Sequence, residues 1–268
     1  MTKTILITGG TGTVAKAAGE YLCSKGYQVI GISRSIEKEH SCYSQTHQID
    51  LLEPEDLKKL EKILKNNSVD AVFHLAWNIP AENFDTHTAW KGNMEIFENT
   101  LESAEKANVP TFINGSSIHA GTGNIPAYTA EASLENTPQP YRDSIDPDND
   151  FDLRKEQPEK LLSPLSEDPD SPYGWSKVMT EREVHESVEK GDFELGINIR
   201  IGGVNSEDYS ELEGEPYYSS LYWSHKDLGR TLANILESDQ KGVHQFYGVS
   251  DNKGRIFIIE NGFISNKK

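Results

Sequence analysis

Short apolar runs alternate along this chain with segments whose apolar residues recur every third or fourth position. The runs at residues 4–7, 27–33, 45–49, 69–75, 109–114 and 196–201 read as strands, and the segments at 14–25, 54–67, 86–107 and about 171–190 read as helices. Gly26 offers a stop for the first helix, and Pro54 sits in the first turn of the second. Residues 69–75, VDAVFHL, are almost continuously apolar, as a strand covered on both faces requires. Strand and helix in turn from residue 3 predict an α/β fold built on a doubly wound parallel sheet.

The alternation stops at residues 121–170, which are rich in Pro, Asn, Asp and Glu and only weakly periodic. They are expected to form a long excursion outside the core, a lid or mobile loop. Beyond residue 201 the pattern predicts a Tyr-rich acidic loop at 207–222, a helix at 226–237 and two short strand-like runs at 243–249 and 255–259.

The 268 residues, 35% of them apolar, suffice for one domain with a full core. A net charge of −17 argues against a nucleic-acid partner or an anionic membrane surface. Residues 131–170 carry twelve carboxylates against four basic side chains, which fits a solvated face or a high-salt habitat. Within them Asp146, Asp148, Asp150 and Asp152 alternate like a calcium loop, but such a loop needs glycine sixth and glutamate twelfth, where Phe151 and Gln157 stand. The run reads as a solvated acidic loop, and no metal is expected. Cys23 and Cys42 are too few for a disulfide framework, no signal-like run opens the chain, and no stretch approaches a membrane span; a cytoplasmic location is expected.

The first candidate chemistry is the turn after residue 7. Gly9, Gly10 and Gly12 separate a strand from a helix, and glycines there let backbone N–H groups approach a diphosphate at a helix N-terminus. The spacing is Gly9-x-x-Gly12-x-x-Ala15, with alanine in the third glycine position. This predicts a dinucleotide site of Rossmann type involving Gly9, Gly12, Thr13 and Val14. The second strand ends Ser33-Arg34-Ser35 without a carboxylate, so Arg34 favours NADP over NAD, with a solvated arginine as the plain alternative. Asp50 follows the third strand and either meets the adenine amino group or caps the helix after it. His74, Leu75 and Ala76 end the fourth strand, where ligands of such sheets collect; His74 itself reads as structural.

The second is a pair. Tyr173 and Lys177 lie four residues apart on a helix and so share a face, and an ammonium beside a phenol lowers the phenol's pKa toward a usable acid or base. Ser116 and Ser117 end the fifth strand.

With these parts in order, the chain resembles the extended short-chain dehydrogenase/reductase, or NAD-dependent epimerase/dehydratase, family: TGGTGTVA at 8–15, Asp50, HLA at 74–76, Asn93, SS at 116–117, YGWSK at 173–177, RIGGV at 200–204 and SHKDLGR at 224–230. The resemblance implies Ser117, Tyr173 and Lys177 as the catalytic triad, and Leu75, Ala76, Asn93, Tyr173 and Lys177 among the cofactor contacts. It also implies hydride transfer between nicotinamide and a sugar-like carbon, with Tyr173 moving the proton, Lys177 lowering its pKa and holding the nicotinamide ribose, and Ser117 positioning the oxygen. Residues 1–120 and 171–201 would form the cofactor part, and 121–170 with 202–268 a small substrate lobe and lid.

SSIHAG, NIRIGGV and WSHKDLGR look most like the short aldose and uronate dehydrogenases, and the 91 residues after Lys177 suit a substrate smaller than a nucleotide sugar. Uronate dehydrogenases carry an arginine for the substrate carboxylate shortly before the serine of SHKD; residues 213–223, EGEPYYSSLYW, contain none. A neutral or differently substituted sugar is therefore expected, with Asn78, His119, Tyr217 and Tyr218 as candidate contacts. The alternatives are a nucleotide-sugar epimerase and a non-catalytic NADP-binding sensor or scaffold. A dehydratase would carry an acidic residue where Ile118 follows Ser117. The resemblance further implies a homodimer through residues 83–107 and 172–190.

Overall fold

A computed structural model describes residues 2–36, 42–78, 87–128, 133–212, 215, 217–259 and 262–263, with the side chains of 87–90 left aside. Among these residues seven strands form one sheet: β1 (Thr4–Thr8), β2 (Gln28–Ser33), β3 (Gln45–Gln48), β4 (Ala71–His74), β5 (Thr111–Ser117), β6 (Leu195–Ile201) and β7 (Gly242–Gly248). Their order is β3-β2-β1-β4-β5-β6-β7, and every pairing is parallel. The order reverses between β1 and β4, so a crevice opens there beyond the strands' C-terminal ends.

Among the described residues eight α-helices accompany the sheet: α1 (Thr13–Ser24), α2 (Pro54–Asn66), α3 (His87–Lys106), α4 (Tyr141–Ile145), α5 (Leu153–Glu156), α6 (Pro172–Lys190), α7 (Tyr218–Leu221) and α8 (His225–Leu236). Because side chains alternate along a strand, Ile5 and Ile7 of β1 face one layer and Leu6 the other. The first layer packs α1 (Ala15, Ala18, Leu22) and α8 (Leu228, Leu232) on the sheet; the second packs α2 (Leu60, Leu64) and α3 (Phe97, Leu101). At α6, Ser171 caps the start by accepting from the Gly174 N–H, Pro172 stands in the first turn, and Gly191 at φ 88 ends the helix in the left-handed region.

Residues 121–170 depart from the expectation of an excursion outside the core. Ile125, Tyr128, Ile145 and Leu153 are buried in a third apolar cluster with Tyr218, Leu221, Tyr222, Tyr247 and Phe257. The strand-like run at 243–249 is β7, at the sheet edge. The run at 255–259 joins no sheet; Phe257 makes a single parallel bridge to Leu162. The Leu162 N–H donates to the Ile256 carbonyl at 2.7 Å, and the Ile258 N–H returns to the Leu162 carbonyl at 3.0 Å. These two backbone hydrogen bonds stitch the segments together.

The acidic run is also not wholly solvated. Asp148 and Asp150 are exposed, but Asp152 is buried, caps α5, and takes a two-pronged contact from Arg154, whose Nε and NH2 each donate at 2.7 Å. Those bonds hold the Asp152 carboxyl well below the usual carboxylate range. Among the described residues no group of three His, Cys, Asp or Glu side chains could hold a metal ion, and no helix is long and apolar enough to cross a membrane.

Candidate active site

The glycine turn follows β1 directly into the crevice. Gly9 has φ +64, and a Cβ on it would stand 3.1 Å from the Ala76 backbone, so both conformation and space demand glycine. Gly12 donates its N–H to the Gly9 carbonyl at 2.9 Å and precedes Thr13 and Val14, the first residues of α1. No side chain caps that helix and no acid lies in its first turn, so its open N–H groups keep their affinity for an anion. Ala15, in the third glycine position, is buried in the first layer, where a small side chain lets helix and sheet approach.

Beside the turn lies a cavity of about 190 Å³ whose lining includes Gly9, Arg34, Asp50, Ala76, Trp77 and Asn78. Arg34 is exposed at its rim. Asp50 does not cap α2, whose cap position is held by Glu53; its Oδ1 accepts instead from the Leu52 N–H at 3.1 Å, while Asp56 accepts from the Asp50 N–H. An approachable glycine turn, an uncapped helix start and a cleft holding both an arginine and an aspartate fit a dinucleotide.

His74 is the last residue of β4 and is buried. Thr8 Oγ1 accepts from the N–H groups of Leu75 (2.9 Å) and Ala76 (3.0 Å), so its own proton goes to His74 Nδ1 at 3.2 Å. The ring proton then sits on Nε2, which has no partner among the described residues. Burial, and next the Lys177 charge, depress the imidazole to about 3. Asn93, on α3, is buried and clamps the chain after β4: its Oδ1 accepts from the Asn78 N–H at 2.6 Å and its Nδ2 donates to the Asn78 carbonyl at 2.9 Å.

Ser117 ends β5, buried, and its hydroxyl and that of Tyr173 hydrogen-bond each other. Tyr173 is in the first turn of α6, and Lys177 follows one turn later, 4% exposed. Lys177 Nζ donates to the Gly115 carbonyl at 2.9 Å and stands 3.6 Å from the centre of the Trp77 ring and 5.6 Å from that of Tyr173. Burial lowers the ammonium to about 7, and Glu181 opposes this. Burial also pushes the Tyr173 phenol up to about 12, with Ser117 pulling it down. Desolvation of the phenolate sets that direction, and the Lys177 ammonium is turned to the Gly115 carbonyl and the Trp77 face.

His119 lies beside the Tyr173 ring, 5.7 Å between centroids, with Nδ1 2.6 Å from Asp170 Oδ2. Tyr217 and Tyr218 go elsewhere. Tyr217 packs against Tyr128, and Tyr218 accepts from Asn205 at 3.1 Å, both within the third cluster. Four further residues shape the site without having been singled out by their spacing: Trp77, Asp170, Glu181 and Arg200. Glu181 receives Arg200 Nε at 2.9 Å and NH2 at 2.8 Å, and Ser116 Oγ at 2.5 Å. Its place one turn after Lys177 was the available signal.

Residues 5–144 match the model of the family described as "NAD dependent epimerase/dehydratase family". The chain belongs to that family. UDP-glucose 4-epimerase uge1 of Schizosaccharomyces pombe is 30% identical over 126 residues, which are 42% of this chain and 35% of that protein. The chain thus matches about a third of the length of this curated relative. Among solved structures, glucuronic acid dehydrogenase from Chromohalobacter salexigens is 19% identical, with 97% of this chain and 81% of that chain covered at a TM-score of 0.67. A mutant uronate dehydrogenase from Agrobacterium tumefaciens complexed with NAD is 18% identical, with 96% and 81% covered at 0.66. At such identities these likenesses show the shared fold of this epimerase/dehydratase family member.

Proposed function

We propose that this chain is a nicotinamide-dependent oxidoreductase acting on a hydroxyl or carbonyl carbon of a small sugar, with NADP preferred and NAD possible. The observation that carries the reading is the hydrogen bond between the Ser117 and Tyr173 hydroxyls, with the Lys177 ammonium one turn away. A bound dinucleotide supplies the hydride donor or acceptor. Gly9, Gly12, Thr13 and Val14 would hold its diphosphate, Asp50 its adenosine end, Leu75, Ala76 and Asn93 its cleft wall, and Arg34 a ribose phosphate. Ser117 orients the substrate oxygen, and Tyr173 exchanges a proton with it. A phenol near 12 is protonated at neutral pH, which suits delivery of a proton to a carbonyl oxygen. The reverse direction requires added positive charge against the phenol.

His119, steadied by Asp170 beside Tyr173, is the preferred substrate contact, with Asn78 at the cavity rim; Tyr217 and Tyr218 would act by shaping the lobe. That lobe is assigned to residues 121–170 and those after 201, and its packed apolar interior favours a compact substrate. A homodimer through α3 and α6 is supported by Trp175 and Met179, exposed at 49% and 38% one turn apart on α6.

The test is a spectrophotometric screen of aldoses, uronates and sugar phosphates with NADP and NAD in parallel, at low and high salt. Reduction of NADP by a small sugar supports the reading, and a clear NAD preference removes the role given to Arg34. The similarity to UDP-glucose 4-epimerase uge1 favours a second reading, nucleotide-sugar epimerisation. It predicts interconversion of UDP-sugars with no net change in the cofactor.

A further inference from the structure

Trp77 has no role in the reading above, yet its indole meets the group on which that reading depends most. An ammonium has three N–H donors, and burying one without partners is costly. The Lys177 Nζ gives one to Gly115, and the face of Trp77 lies 3.6 Å from it. A π face attracts a cation, most strongly when water is excluded. Among the described residues, the other charged or titratable groups near the lysine are engaged elsewhere. Glu181 of α6 is engaged by Arg200 of β6, His74 of β4 is a buried neutral ring, the Tyr173 phenol bonds Ser117, and Asp170 faces His119.

The indole is also held. Thr8 takes the N–H groups of Leu75 and Ala76 just before it, and Asn93 grips both backbone polar groups of Asn78 just after it. Buried side chains of β1 and α3 thus pin the backbone on either side of Trp77, whose ring also meets the Tyr173 ring edge to face at 6.3 Å.

We propose that Trp77 is a positioning residue for Lys177: its indole face seats the ammonium, and the Asn93 clamp fixes that seat beside Tyr173. The catalytic meaning of this seat rests on the proposed oxidoreductase reading; the seat itself does not. Trp77→Leu keeps apolar bulk but removes the π face, leaving the lysine desolvated and less attracted. Trp77→Phe keeps a smaller face.

The deciding measurement is the pH dependence of Lys177 acetylation by acetic anhydride, read by peptide mass mapping on the whole protein without substrate. In Trp77→Leu the midpoint should fall by about one pH unit, and Trp77→Phe should lie between it and the parent. With an active sugar, the limb of the kcat profile that follows Lys177 should move the same way. An unchanged or raised midpoint in Trp77→Leu, with only a higher KM for the dinucleotide, overturns the proposal and leaves Trp77 as a wall of the cleft. If Trp77→Leu does not fold by circular dichroism, Trp77→Phe decides, since an unchanged midpoint there overturns it equally. Absence of turnover on every sugar would sink the oxidoreductase reading while leaving the acetylation result intact.

Discussion

Glu181 lies one helical turn beyond Lys177 and directs both carboxylate oxygens at Arg200 rather than at the lysine. The pair is almost wholly buried, at 3% and 0% exposure, and Arg200 NH1 continues to the Ser166 carbonyl at 2.6 Å. One ion pair therefore ties α6 and β6 to the segment that precedes Tyr173, while its carboxylate also holds Ser116 beside Ser117.

Glu181→Gln should cost about 3–5 kcal/mol, because Arg200 would stay buried without its counter-charge. Chemical denaturation measures this. The double variant Glu181→Gln, Arg200→Met should recover much of the loss, and a cost below about 1 kcal/mol in the single variant would deny the pair its structural weight.

Tyr173→Phe should remove turnover, by about a hundredfold or more, with dinucleotide affinity little changed. Steady-state kinetics beside fluorescence titration of the cofactor separates the two effects. Unchanged turnover would overturn the role given to the phenol.

Arg34→Ala should weaken NADP binding by about tenfold or more and leave NAD binding nearly level, as loss of a charge-assisted phosphate contact requires. Isothermal titration with each dinucleotide is the check. Equal losses for both would make Arg34 a general contributor to the cleft.

His74 sets a pH dependence of stability. Its folded pKa of about 3 lies below the ordinary value of 6.5, so between them the unfolded chain binds the extra proton. The contribution is complete above about 6.5 and is lost as pH falls toward 3, at up to about 1.4 kcal/mol per pH unit. Across this window the stability of the parent should fall relative to that of His74→Phe as the pH drops, read from denaturation midpoints. A parallel pair of curves would show that the imidazole does not titrate between folded and unfolded states.

Elements that obey a local period were legible in the sequence. The apolar runs gave β1 to β7 within about three residues, and the spacing of Tyr173 and Lys177 placed both on one helix. The third cluster was not legible, because Ile125, Tyr128, Ile145 and Leu153 follow no period and find their partners about a hundred residues away at Tyr222, Tyr247 and Phe257. The run at 255–259 failed for the opposite reason: its local pattern suits a strand, but pairing with Leu162 takes its backbone first. Tyr218 likewise carried a hydroxyl that the lobe uses internally, on Asn205, and Tyr217 a ring that packs on Tyr128. Trp77 and Asp170 act only through residues of other elements, so neither leaves a signal in spacing.

The bridge between Leu162 and Phe257 also sets an order of events during synthesis. Every strand up to β6, together with Ser117, Tyr173 and Lys177, leaves the ribosome before residue 257 does. Until that residue emerges, the segment that enters α6 lacks its backbone partner, and the apolar side chains of the lobe stand open to other chains. Nascent chains stalled before residue 257 should therefore be the ones that chaperones and proteases engage there.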